Sequence, residues 1–162
     1  MPRVLALLAV SFLTATGCAS GMNRTDSPET VAAADPRIQI MGRHVAEADG
    51  AVAFAASGVT FTVRFRGDRL TARLDDELRG GTEHNWFTVV VDGGEPTRFR
   101  TRAEQDIYVL AERLASGEHT VVLSKATEGQ NGHNRLVSVT ADAILPAPPL
   151  PERRIEYIGD SI

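Results

Sequence analysis

The sequence predicts an all-β fold, a two-sheet β-sandwich, and three observations carry that expectation. The stretch Val59-Thr60-Phe61-Thr62-Val63-Arg64-Phe65-Arg66 alternates strictly, with Val, Phe, Val and Phe on one face and Thr, Thr, Arg and Arg on the other. Period two of this kind marks a half-buried strand. Further apolar runs recur at short intervals between residues 37 and 145, separated by Gly- and Asp-containing turns, the pattern of sandwiches and barrels. No stretch of that region carries a 3.6-residue apolar stripe, so helices are not expected there.

The elements follow in chain order. Residues 1–17 read Met-Pro-Arg, an apolar run from Val4 to Leu13, then Thr14-Ala15-Thr16-Gly17. A short positive start, about 10 apolar residues and small residues before a cut site describe an export signal. The run is shorter than the roughly 20 residues that span a bilayer. It leads into Cys18, the one cysteine of the chain. Residues 18–36 are small, polar and contain proline, and are expected to be a flexible tether. The sandwich is expected over 37–145. Arg37 to Met41 and Ala51 to Ala55 are its weaker strands. Val59 to Arg66 and Leu70 to Asp75 are read as a hairpin across a two-residue Gly67-Asp68 turn. Trp86 to Val91 returns through Asp92-Gly93-Gly94-Glu95-Pro96 into Thr97 to Thr101, and Gln105 to Leu110, His119 to Ser124 and Leu136 to Leu145 complete the set. Pro146-Ala147-Pro148-Pro149-Leu150-Pro151 then opens a stiff linker over 146–154, because proline has no amide to donate to a ladder. Residues 155–162 start another short apolar strand, Ile155 to Ile158, and run into Gly159-Asp160-Ser161-Ile162. A domain does not open its first strand and stop four residues later, so a longer polypeptide is expected.

Composition narrows the function. Of 162 residues, 43% are hydrophobic and 23% charged, and 17 basic residues stand against 21 acidic ones for a net charge of −4. No concentrated basic surface is indicated, so nucleic acid is not an expected partner. Sixteen of the basic residues are Arg and one is Lys. A single cysteine excludes an intrachain disulfide and cysteine-paired zinc sites. The four histidines, His44, His84, His119 and His133, share no i, i+2 or i, i+4 relation, and no metal site and no cofactor are expected. Arg64, Arg66, Arg73 and Arg98 fall on outward strand faces and read as a solvated surface. The polar, Gly-rich run Glu128 to Asn134 reads as a solvated loop whose side chains are also of the kind that contact sugar hydroxyls. With Trp86 the one tryptophan, a row of exposed aromatics for sugar stacking is thin.

Two resemblances add to this. Ala15-Thr16-Gly17-Cys18 resembles a bacterial lipobox, with Ala where Leu is commonest, which implies lipid on Cys18 and a bacterial cell-envelope location, secretion being the alternative. Ile158-Gly159-Asp160-Ser161-Ile162 resembles the first block of the SGNH (GDSL-type) hydrolases. The part upstream resembles the amino-terminal jelly-roll domain of carbohydrate esterase family 2. The stretches that carry this are Met41-Gly42-Arg43, Phe65-Arg66-Gly67-Asp68, Val91-Asp92-Gly93, Leu110-Ala111-Glu112-Arg113-Leu114, Gly117-Glu118-His119 and Val121 through Glu128. The resemblance implies a jelly-roll sandwich followed by the first strand of a truncated α/β SGNH hydrolase domain. It also implies a serine esterase that removes acetyl groups from polysaccharides or oligosaccharides such as those of xylan or glucomannan, without a metal. Ser161 would be its nucleophile and, through its own N–H, one oxyanion donor. Gly159 would allow the tight turn and Asp160 would stabilise it. The family's histidine base would lie beyond Ile162, so residues 1–162 alone are expected to be inactive. The alternative is a non-catalytic carbohydrate-binding sandwich of a surface lipoprotein, on which Gly-Asp-Ser is incidental.

Overall fold

The computed structural model describes residues 27–77, 84–150 and 152–153. They form β1 (Glu29–Ala32), β2 (Gln39–Met41), β3 (His44–Ala46), β4 (Val52–Phe54), β5 (Thr60–Arg66), β6 (Leu70–Asp76), β7 (Trp86–Val91), β8 (Thr97–Arg100), β9 (Ile107–Ala111), β10 (Glu118–Lys125), β11 (Asn134–Ala141) and β12 (Ala143–Leu145). Among the described residues the helical exception is a 3-10 turn, Gly129–Asn131.

Two antiparallel sheets face each other. One runs β3-β4-β11-β6-β9, with β1 also on β11; the other runs β12-β5-β10-β7-β8, with β2 also on β5. From β4 to β12 every strand switches sheet relative to the one before, except at the β7–β8 hairpin. That wrapping is a jelly roll. The hairpin closes with Gly94 N–H donating to Val91 O at 2.9 Å, and Asp92 and Gly93 both have positive φ, 50° and 69°. This is the Asp-Gly turn whose twist matches the flanking strands.

The expected β5–β6 hairpin is not formed. β5 pairs with β10, while β6 pairs with β11 and β9 in the other sheet. Residues 67–69 carry the chain across the sandwich instead. Alternation reports which face of a strand is buried, and two strands that face each other bury the same faces as two that pair. The sandwich also starts earlier than expected. Glu29–Ala32, inside the expected tether, pairs with β11, and Val31 and Ala33 are buried. Leu136 to Leu145 is two strands, not one: β11 and β12 lie in different sheets, broken at Asp142.

The alternating positions meet in one core. Phe61, Val63 and Phe65 of β5 face Leu70, Ala72 and Leu74 of β6, all at most 1% exposed. An aromatic chain runs through it, Phe61 to Phe54 at 5.1 Å, Phe54 to Phe87 at 6.2 Å, Phe87 to Phe99 at 5.5 Å and Phe99 to Tyr108 at 5.0 Å. Its last pair bridges the edge strands β8 and β9 and so seals that side of the sandwich.

Candidate functional site

The residues that carry the expected chemistry, Ser161 with Gly159 and Asp160, and the lipidation candidate Cys18, lie outside the described residues. What the structure describes is the sandwich that precedes them and its two ends.

At one end the loops are tied together by a buried polar cluster. Asp76 continues the inward face of β6 beyond Leu74 and puts a carboxylate where the alternation calls for an apolar side chain. Asn85 Nδ2 and Asn134 Nδ2 each donate to its Oδ1 at 2.7 Å, and the Thr101 hydroxyl donates to its Oδ2. Asn85 Oδ1 accepts from Thr127 at 2.7 Å. Lys125, the chain's one lysine, continues the inward face of β10 and is 2% exposed. Its ammonium donates to the carbonyls of Ala55, Thr127 and Glu128 at 2.7, 3.1 and 3.2 Å. Burial holds its pKa below the usual lysine range. Buried polar groups cost little only when paired, and here the pairing fixes the segments around residues 55, 85, 101 and 127–134. The Glu128 to Asn134 run is therefore a fastened loop. A surface depression of about 520 Å³ lies beside it, bordered by Arg43, His44, Phe54, Glu128 and His133. These clamps were legible only as inward positions of strands that hold a polar residue, Asp76, Lys125 and Asn134.

Three of the four histidines make separate contacts. His119 Nδ1 bonds Asp92 Oδ2 at 2.7 Å and its Nε2–H donates to Ala115 O at 2.8 Å. Asp92 also accepts from Thr120 N–H at 2.8 Å. The Asp92 carboxylate raises the imidazole's pKa and the imidazolium lowers that of Asp92. This pair pins the β7–β8 turn to the start of β10, a structural role. His133 meets Glu77 at 2.8 Å on the surface, and His44 bonds Gly42 O. Among the described residues no three His, Cys, Asp or Glu side chains converge as a metal-binding group. Of the outward arginines, Arg64 and Arg66 share Glu118 at 2.6 and 3.0 Å, and Arg73 pairs with Asp106 at 3.2 Å. Arg98 has no such partner among the described residues.

Residues 40–149 match the family model described as "Carbohydrate esterase 2 N-terminal". An acetylxylan esterase / glucomannan deacetylase of Cellvibrio japonicus is 34% identical over 161 residues, covering 98% of this chain and 43% of the relative. The solved structure of a family two carbohydrate esterase from the same organism superposes with a TM-score of 0.70 at 34% identity, over 78% of this chain and 37% of that one. A family two carbohydrate esterase from Clostridium thermocellum, solved in complex with cellohexaose, gives 0.62 at 27% identity, over 72% and 35%. The chain thus spans less than half the length of these relatives. A jelly roll built on the matching residues, under a family model that covers most of the chain, leads to one conclusion: the chain belongs to carbohydrate esterase family 2.

Proposed function

We propose that this chain is the amino-terminal part of a serine esterase that removes acetyl groups from polysaccharides such as xylan or glucomannan, with Ser161 as nucleophile. One observation carries the reading. The match to the C. japonicus acetylxylan esterase / glucomannan deacetylase covers 98% of the chain, so it extends well past the sandwich and takes in Gly159-Asp160-Ser161. Ser161 Oγ attacks the acetyl carbonyl as a base takes its proton. The tetrahedral oxyanion forms against the Ser161 N–H and further donors, and the bond to the sugar oxygen breaks as that oxygen is protonated. Water then releases acetate from the acyl-enzyme. The base and remaining donors belong to the polypeptide beyond residue 162. A serine contributes a large rate factor only when base and donors act with it as a unit.

The test is Ser161→Ala in the full-length protein, assayed on small acetyl esters and acetylated xylan. The expected loss in kcat is several orders of magnitude, on the order of 10³-fold or more, while residues 1–162 alone show no turnover. Unchanged kcat/KM in the variant would overturn the nucleophile and leave the sandwich as a binding module.

A further inference from the structure

We infer that the sandwich carries a binding site for uronic-acid residues of plant-type polysaccharides, on the corner formed by β7, β8 and the loop before β9. The inference does not rest on the esterase reading, since it concerns only the jelly roll. Its centre is Trp86, 43% exposed and one of the few large apolar side chains at the surface. Trp86 is the outward neighbour of fully buried Phe87, so its indole stands on the outer face of the sheet. Register places Arg100 directly opposite Trp86, and Arg98 opposite Thr88 on the same face. Directly opposed residues have Cβ atoms about 5 Å apart and diagonal ones about 7 Å, within reach of long side chains. Arg102 joins them from the loop, whose backbone is held by Tyr108: the phenol accepts from Arg102 N–H at 3.0 Å and donates to Gln105 O at 2.7 Å. Trp86, Arg98, Arg100, Arg102, Tyr108 and Val109 border an open depression of about 530 Å³.

Three guanidiniums without an ion pair border this one depression, and Arg43, Arg69, Arg113 and Arg153, also without one among the described residues, do not border it. Arg37, Arg64, Arg66, Arg73 and Arg135 are all ion-paired. Arg98, Arg100 and Arg102 have no carboxylate in ion-pairing distance among the described residues, and the nearby Asp106 is committed to Arg73. Three unpaired guanidiniums around one exposed indole complement a ligand with an apolar ring face and a carboxylate. A pyranuronic acid has both: its C–H face stacks on the indole, and its carboxylate takes two parallel N–H donors from one guanidinium. The corner also lies away from residues 146–150, which follow β12. β12 and β8 are opposite edges of one sheet, four strand spacings or roughly 19 Å apart, and residues beyond β12 run back along β2, with Ala147 N–H on Arg37 O and Gln39 Nε2 on Pro148 O.

Affinity electrophoresis of the full-length protein tests this, in gels cast with glucuronoxylan, the same xylan with its carboxyls reduced to alcohols, polygalacturonate, neutral arabinoxylan or single-stranded DNA. Retardation by glucuronoxylan or polygalacturonate is expected, and the stronger of the two identifies the uronic acid. Carboxyl reduction and Arg100→Gln should each weaken it at least tenfold, and Trp86→Ala should abolish it, with thermal unfolding of both variants unchanged. Trp86→Phe should keep part of the affinity. Equal retardation by the reduced xylan, equal retardation by single-stranded DNA, or retention of wild-type affinity in Trp86→Ala would each overturn the proposal. So would retardation seen with residues 1–162 but lost in the full-length protein, which would make the corner an interdomain contact. Because no turnover is read, failure here leaves Ser161 untouched, and an inactive Ser161→Ala protein should still be retarded.

Discussion

His119 shows how one side chain's environment converts into a pH dependence. Its hydrogen bond to Asp92 raises the imidazole pKa above the ordinary value near 6.5, and the same contact lowers the Asp92 carboxyl. A raised folded-state pKa on a base adds stability that is fully present below the unfolded pKa and lost as pH rises through the folded one. A lowered pKa on an acid adds stability that is present above its unfolded value and lost as pH falls through the folded one. The pair therefore contributes most between about pH 4 and pH 6.5. The stability difference between the wild-type chain and His119→Gln, from denaturant midpoints across pH, should be largest in that window and shrink on both sides. A difference independent of pH would remove the charged pair as its source. The sequence did not show the partner of His119, Asp92 27 positions away, because the contact depends on the β7–β8 turn landing beside β10.

At the scale of elements, the crossing between β5 and β6 hinges on Gly67. Its φ is 122°, and a Cβ there would lie 2.6 Å from the Asp142 carboxylate. Gly67 N–H donates to Gly117 O at 3.0 Å, and Asp68 O accepts from Leu114 N–H at 3.1 Å, so three connections meet at this end of the sandwich. Gly67→Ala should destabilise by about 1–3 kcal/mol, from backbone strain together with displacement of Asp142. Chemical denaturation would measure it, and a change under about 0.5 kcal/mol would mean that the arch adapts freely. The alternation from Val59 to Arg66 identified β5 and its buried face without ambiguity. Its partner was misassigned because strand pairing is a non-local choice between edges, while the pattern of buried side chains is local.

For the whole molecule, the functional proposal rests on the order of segments expected from the sequence: an export signal, a sandwich, a proline-rich linker and Gly159-Asp160-Ser161 as the start of a second unit. Lipid on Cys18 is proposed from the single cysteine behind an apolar run and small residues. Expressed in a bacterial host, the wild-type protein should sediment with the membrane fraction, and Cys18→Ser should be released from it. A wild-type protein recovered soluble with a different amino terminus would remove the anchor.

By itself the sequence determined the all-β class, the identity of most strands, the inward positions of Phe61, Val63, Phe65, Leu70 and Leu74, and, through the ordered resemblance from Met41 to Glu128, the family. Each of these depends on residue type at short range, where side-chain period and turn chemistry act. The tertiary structure alone decided the strand partners outside the β7–β8 hairpin, the recruitment of Glu29–Ala32 into the sheet, the roles of buried Lys125 and half-buried Asp76 as loop clamps, and the meeting of Trp86 with Arg98, Arg100 and Arg102. Those outcomes require segments distant in sequence to share one core or one corner. A polar residue at an inward position announces only a need for partners, and which partners answer is set by how the two sheets close on each other.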